Sequence, residues 1–276
     1  MADSDVAQRY DVREALDRIY RLLRGDILSN DAPDSLSGTR RSTNEIASRL
    51  AELMQNSLPG ETFTLPLGHN YRFGQGDNYL NISSSGTLSL HGNATVWDDL
   101  RFSAVSSKLG GSKDPGFAVF KTNASGSQGV FTYWFDDDAE EEIYLIAQMP
   151  HAWKAGSLIS PHVHWTPAAN GTGTVSWGLE YSWANVNSVF PSTSTIYGNQ
   201  VLGSHVNISG SVHYLTELSA ITGTSKTLSS MIVMRLFRNA TGAGSSGDSY
   251  ANDAGLLEFD IHYEMDGLGS ESEYTK

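Results

Sequence analysis

His162 and His164 stand one residue apart in the segment Pro161-His162-Val163-His164-Trp165. On a β-strand, residues i and i+2 share a face. The two imidazoles therefore point the same way, and paired imidazoles are a common start to a site for a borderline transition metal. The five residues after His164 are Trp, Thr, Pro, Ala and Ala, so no nearby carboxylate follows. Further ligands would come from the polar face of the C-terminal alternating segment, which carries Glu258, Asp260 and His262. The candidate metal set is accordingly His162, His164 and His262. The competing expectation is that these imidazoles make hydrogen bonds or subunit contacts.

Two further groupings have chemical content. Asp136, Asp137, Asp138, Glu140, Glu141 and Glu142 form an oxygen-rich run. It lacks the alternating ligand spacing and central glycine of a calcium loop, so it reads as a solvated hairpin tip. Six tryptophans (Trp97, Trp134, Trp153, Trp165, Trp177 and Trp183) offer rings for stacking on sugars. Trp177 and Trp183 fall on an apolar strand face and read as core. Residues 184–212 read as long polar loops where an adhesin site would lie. The sequence contains no nucleophile elbow, phosphate loop, dinucleotide fingerprint or zincin helix. The chain is thus expected to be non-enzymatic and to need no cofactor.

The elements that position these residues fall into two kinds. Asp11 and Glu14 form a capping box for a helix over 11–28, with Val12, Leu16, Ile19 and Leu23 as its apolar stripe. A polar linker spans 29–41. Ser42 and Glu45 cap a second helix with Ile46, Leu50 and Leu53 on one side, and Pro59-Gly60 ends it. Such short stripes must pack on something else, so residues 1–60 read as a helical anchor or docking region. Residues 61–90 read as a short β connector, with strands at Thr62–Leu67, Tyr79–Ile82 and Gly86–Leu90.

After residue 90, period-two alternation dominates. Phe131, Tyr133 and Phe135 share a face, as do Ile143, Leu145, Ala147 and Met149. Val175, Trp177, Leu179, Tyr181 and Trp183 form a third apolar row, and Leu257, Phe259, Ile261, Tyr263 and Met265 a fourth. Met231–Phe237 is apolar on both sides, with Ile232, Met234 and Leu236 on one of them. A strand of that kind is covered twice, and a neighbouring subunit is the expected second cover. The fold class expected is mainly β: an antiparallel jelly-roll sandwich over 91–276 with a short α-helical N-terminal anchor.

Composition narrows the partners. The chain has 276 residues, a formal net charge of −13 and no cysteine. The acidity disfavours nucleic acid, and zero cysteines exclude disulfides and thiolate chemistry. No apolar run spans a bilayer, and Met1-Ala2-Asp3-Ser4-Asp5 does not open like a signal peptide. Neither nucleic-acid binding nor membrane insertion is expected, and synthesis in a cytoplasm is.

Several segments resemble a family of tailed-bacteriophage virion structural proteins. They are Ala94–Leu100, Met149–Ser157, Pro161–Trp165, Leu179–Asn187 and Leu256–Tyr263. The resemblance covers roughly residues 86–270 and leaves out the N-terminal helices. It implies a structural, non-enzymatic part of the virion, a jelly roll and a homotrimer. Partners would be other virion proteins, such as the capsid, the portal or neck, or the tail. The leading expectation is an appendage in the head, neck or tail fibre, docked through its N-terminal helices and contacting the host surface. The alternatives are a capsid decoration or cement protein, and an adhesin that binds or cleaves host glycan.

Overall fold

A computed structural model describes residues 71–83, 86–104, 107–203, 211–242, 247–274 and 276. These all belong to one compact unit that begins at Leu65. The expected helices, with Val12, Leu16, Ile19, Leu23, Ile46, Leu50 and Leu53, lie outside the described residues, as does the Thr62–Leu67 strand. The described part contains thirteen β-strands and no α-helix. All the pairings are antiparallel.

The first three strands form a small sheet of their own: β1 (Tyr71–Gln75), β2 (Asn78–Ile82) and β3 (Leu88–His91). It is tied to the C-terminal end of the chain by a bond from the Leu90 amide to the Asp266 carbonyl.

The remaining strands build two sheets. One has the order β10-β9-β12-β7, from β7 (Glu142–Gln148), β9 (Gly173–Ala184), β10 (Ser194–Leu202) and β12 (Met231–Arg238). The other runs β11-β8-β13-β6-β5, from β5 (Gly116–Lys121), β6 (Val130–Phe135), β8 (Ile159–Pro167), β11 (Tyr214–Glu217) and β13 (Ala254–Met265). β4 (Val96–Ser103) also pairs with β13. Aromatic contacts cross between the sheets. Trp177 of β9 meets Phe135 of β6 and Trp165 of β8, with ring centroids 5.1 and 6.3 Å apart. The result is a β-sandwich around one apolar core.

Alternation placed most of the strong strands correctly, and four places differ for physical reasons. β13 changes register between Leu256 and Glu258. This bulge makes Leu256, rather than Leu257, continue the core row of Phe259, Ile261 and Tyr263. The bulge also divides β13 between two neighbours on one side, β6 before it and β4 after it.

The acidic run is no hairpin tip. β6 and β7 belong to different sheets, so 136–141 is a crossover, and Glu142 is buried. The Arg235 guanidinium lies within 3.1 Å of Glu140, 2.6 Å of Glu142 and 2.9 Å of Glu180.

The stretch 184–212 is not all loop, because Ser194–Leu202 pairs along β9 as an edge strand.

The two-sided strand Met231–Phe237 needs the largest correction. Ile232, Met234 and Leu236 are at most 1% exposed and sit in the chain's own core. They cannot be the surface that a second copy meets. The opposite side has its own cover inside the chain. Phe237 lies against Gly178 of β9 and beneath Arg235, whose guanidinium is 4.2 Å from the ring centroid. Only Val233 remains open there, opposite the exposed Ile146 of β7.

Candidate functional site

The outer face of the β11-β8-β13-β4 sheet gathers the chemistry-bearing residues. Their core-facing neighbours Val163, Trp165, Phe259, Ile261 and Tyr263 are buried, and period two turns the intervening residues outward. Register then sets the rows. His162 faces Asp260, which faces Arg101; His164 faces Glu258, which faces Ser103; His262 faces Asp99.

Asp260 is the centre of this face. Its Oδ2 accepts a hydrogen bond from Nε2 of His164 at 2.9 Å, and its Oδ1 lies 3.2 Å from Nδ1 of His162. The second contact is close enough for ionic attraction but poorly aligned as a hydrogen bond. Burial pushes the Asp260 carboxyl up, yet the two imidazoles outweigh it and hold the group below the usual aspartate value. The Asp260 carboxylate in turn raises His162, against the lowering effect of burial.

Further imidazoles flank this centre. Nδ1 of His164 lies 2.8 Å from Nε2 of His213, with the two rings stacked 5.0 Å apart. His262 packs edge-on against His162 at 5.6 Å and against Trp97 at 5.1 Å. Its Nε2 is 4.0 Å from Asp99. Arg101 grips Glu258 with two bonds of 2.6 Å.

The expected set of His162, His164 and His262 is brought onto one face but does not converge. Among the described residues, the ligand-type side chains with at least three donor atoms all within 4.8 Å of one another are Asp136, Asp137 and Asp253. Asp260 sits between His162 and His164, hydrogen-bonded to Nε2 of His164 and 3.2 Å from Nδ1 of His162. The sequence offered no signal for His213. It lies just ahead of a four-residue strand, and only the β8–β11 pairing brings it to His164.

The tryptophans divide sharply. Trp153, Trp165, Trp177 and Trp183 are buried core. Trp134 is half-buried, and Trp97 alone is well exposed, at 51%. Another imidazole, His151, lies between two serines, with Nε2 2.8 Å from Ser229 Oγ. This looks like a base beside a nucleophile. Ser229 is buried, however, and its hydroxyl donates to the Glu273 carbonyl. The contact therefore fastens the C-terminal segment.

No family model and no curated protein matches the sequence. Some solved structures show distant likeness. One holds the CBM22-1–GH10 modules of a Clostridium thermocellum endo-1,4-β-D-xylanase complexed with xylohexaose. It has a TM-score of 0.29 and 10% identity, over 64% of this chain and 27% of that one. The chain thus spans about a quarter of the xylanase chain it matches. A second is TmCBM61 with β-1,4-galactotriose, at TM-score 0.25 and 11% identity over 62% and 88%. A third is the Eiger TNF from S. frugiperda, at TM-score 0.22 and 10% identity over 51% and 94%. At these scores the likenesses decide nothing about the ligand of this chain.

Proposed function

We propose that the chain is a non-enzymatic structural component of a tailed-phage virion. In this reading it is a jelly-roll appendage of the head, neck or tail fibre that works as a homotrimer and docks through residues 1–60. The observation that carries the reading is where the phage-like segments fall. Ala94–Leu100, Pro161–Trp165 and Leu256–Tyr263 lie on or run into β4, β8 and β13, which are adjacent in one sheet. Leu179–Asn187 includes much of β9 in the facing sheet. Met149–Ser157 carries Trp153, whose ring centroid lies 5.6 Å from that of Trp183. Segments scattered over some 170 residues of sequence thus meet in one body, as a shared fold requires.

Assembly has separate support. On β5 and β6, Phe117, Val119 and Phe131 share a face with the core residue Phe135 yet are 41–54% exposed. An aromatic row that runs out of the core into solvent favours burial against another copy. Light scattering on the full chain tests this. The expected mass is three times 29.9 kDa, about 90 kDa, and Phe131→Asp should lower it. A 30 kDa particle would remove the trimer from the proposal.

A second reading, contact with a host-surface glycan, is favoured by Trp97. Its exposed ring packs against His262, and Asp99 and Arg101 follow on the same hydrogen-bonding face of β4. Retention on immobilised host polysaccharide that is lost in Trp97→Ala supports this reading. Equal retention of both proteins counts against it.

A further inference from the structure

We propose that His164 and His213 form a two-imidazole site for a borderline divalent transition-metal ion such as Zn2+, with Asp260 as the carboxylate that orients His164. This goes beyond the virion reading and does not depend on it.

The two ring nitrogens that face each other, Nδ1 of His164 and Nε2 of His213, are 2.8 Å apart. Two imidazole nitrogens bound at about 2.05 Å to one tetrahedral zinc stand roughly 3.3 Å apart. The rings therefore need to open by about half an ångström to admit the ion. The proton balance favours this pairing. An ionised Asp260 can only accept, so Nε2 of His164 carries the proton that it donates. In the neutral ring this leaves the lone pair on Nδ1, aimed at His213. His213 now donates its Nε2 proton to that lone pair. To bind the ion it shifts to the Nδ1–H tautomer and presents a second lone pair. A buried carboxylate on the far nitrogen of a ligating histidine is the usual means of fixing the tautomer and ring orientation.

Access and ligand type fit as well. His213 is exposed and His164 is partly so, which leaves the remaining coordination positions open to water. His162 has His262 as its neighbouring imidazole, edge-on with ring centroids 5.6 Å apart, and His262 also packs edge-on against Trp97, so neither offers the close facing nitrogens of His164 and His213. Nitrogen ligands select zinc, nickel or copper over calcium and magnesium, which want oxygen. His213 immediately precedes the edge strand β11, and His164 lies on β8. A bound ion would add a side-chain link to that four-residue ladder.

Isothermal titration of the tag-free full chain with Zn2+ tests the assignment. One equivalent should bind, and His213→Ala should abolish binding without harm to folding, because the residue is exposed. Asp260→Asn should weaken binding about 10- to 100-fold, and His262→Ala should leave it unchanged. No heat at millimolar Zn2+, or binding that survives His213→Ala, overturns the assignment. So does binding that is lost instead in Asp136→Asn, since this places the ion at the Asp136, Asp137 and Asp253 cluster.

Discussion

Arg238 is a fully buried arginine whose five N–H donors all find acceptors. Nε and Nη2 donate to the two oxygens of Asp248, both at 3.0 Å. Nη2 also donates to the Tyr250 carbonyl at 2.7 Å. Nη1 donates to the carbonyls of Phe135 at 3.1 Å and Asn252 at 2.8 Å. Asp248 Oδ2 additionally accepts from the Ser176 amide at 3.0 Å. One side chain thereby joins the end of β6, the start of β9 and the chain leading into β13.

Asp248→Ala would leave the guanidinium without its counter-charge and strand three N–H groups. Removing one partner of a buried pair costs about 3–5 kcal/mol. At roughly 2–4 °C per kcal/mol for a domain of this size, the melting midpoint should fall by about 6–20 °C. Thermal denaturation followed by circular dichroism reads this directly. The control is Glu258→Ala, which breaks the shorter, 2.6 Å but solvent-exposed bond to Arg101 and should leave the midpoint essentially unmoved. The reasoning fails if the two variants melt together.

The remaining predictions concern packing and charge. Gly178→Ala places a Cβ 2.2 Å from Cζ of Phe237, a ring already held beneath Arg235. It should cost about 1–3 kcal/mol by urea denaturation, and an unchanged midpoint would show that the ring moves aside freely. Met234→Asp puts an unpaired charge in the core and should abolish folding, whereas Val233→Asp on the open side should stay within about 0.5 kcal/mol of the parent. The reverse order, seen by circular dichroism, would invert the assigned faces of β12. Arg235 gives a pH signature through Glu140 and Glu180. Burial acts to raise Glu140, but Lys113 and Arg235 bring it below its ordinary value of 4.5. Thr193 and Arg235 likewise lower Glu180 against the effect of burial. Carboxylates lowered in the folded state contribute stability that is present above their unfolded pKa and lost as pH falls through the folded one. The stability lost in Arg235→Met should therefore be larger at pH 7 than at pH 3. A pH-independent loss in urea titrations would contradict this.

The strands that the sequence revealed are those with one dry and one wet face. Ile143 to Ala147 and Val175 to Trp183 alternate because each faces the core on every second residue. β10 escaped notice because it is an edge strand whose residues, apart from Ile196, Tyr197, Val201 and Leu202, are polar or glycine. The bulge at Leu257 was hidden for another reason: Leu256 and Leu257 are both leucine, so either phase satisfies the pattern. The apparent second apolar face of β12 misled because Phe237 is covered by Gly178 and Arg235, an arrangement that needs β9 alongside. For the site, His162, His164 and His262 could be placed on shared faces by parity alone. The role of Asp260 between the first two, and the approach of His213, depend on strand register that no local spacing encodes.

The central claim is that this chain is a structural part of a tailed-phage particle. Quantitative mass spectrometry of tailed-phage particles purified from cells that express this chain tests that claim most directly. The account predicts that the chain is present in intact particles at tens of copies or fewer, in a multiple of three. Hundreds of copies would assign it to capsid decoration instead, and its absence from washed, infectious particles would contradict the account.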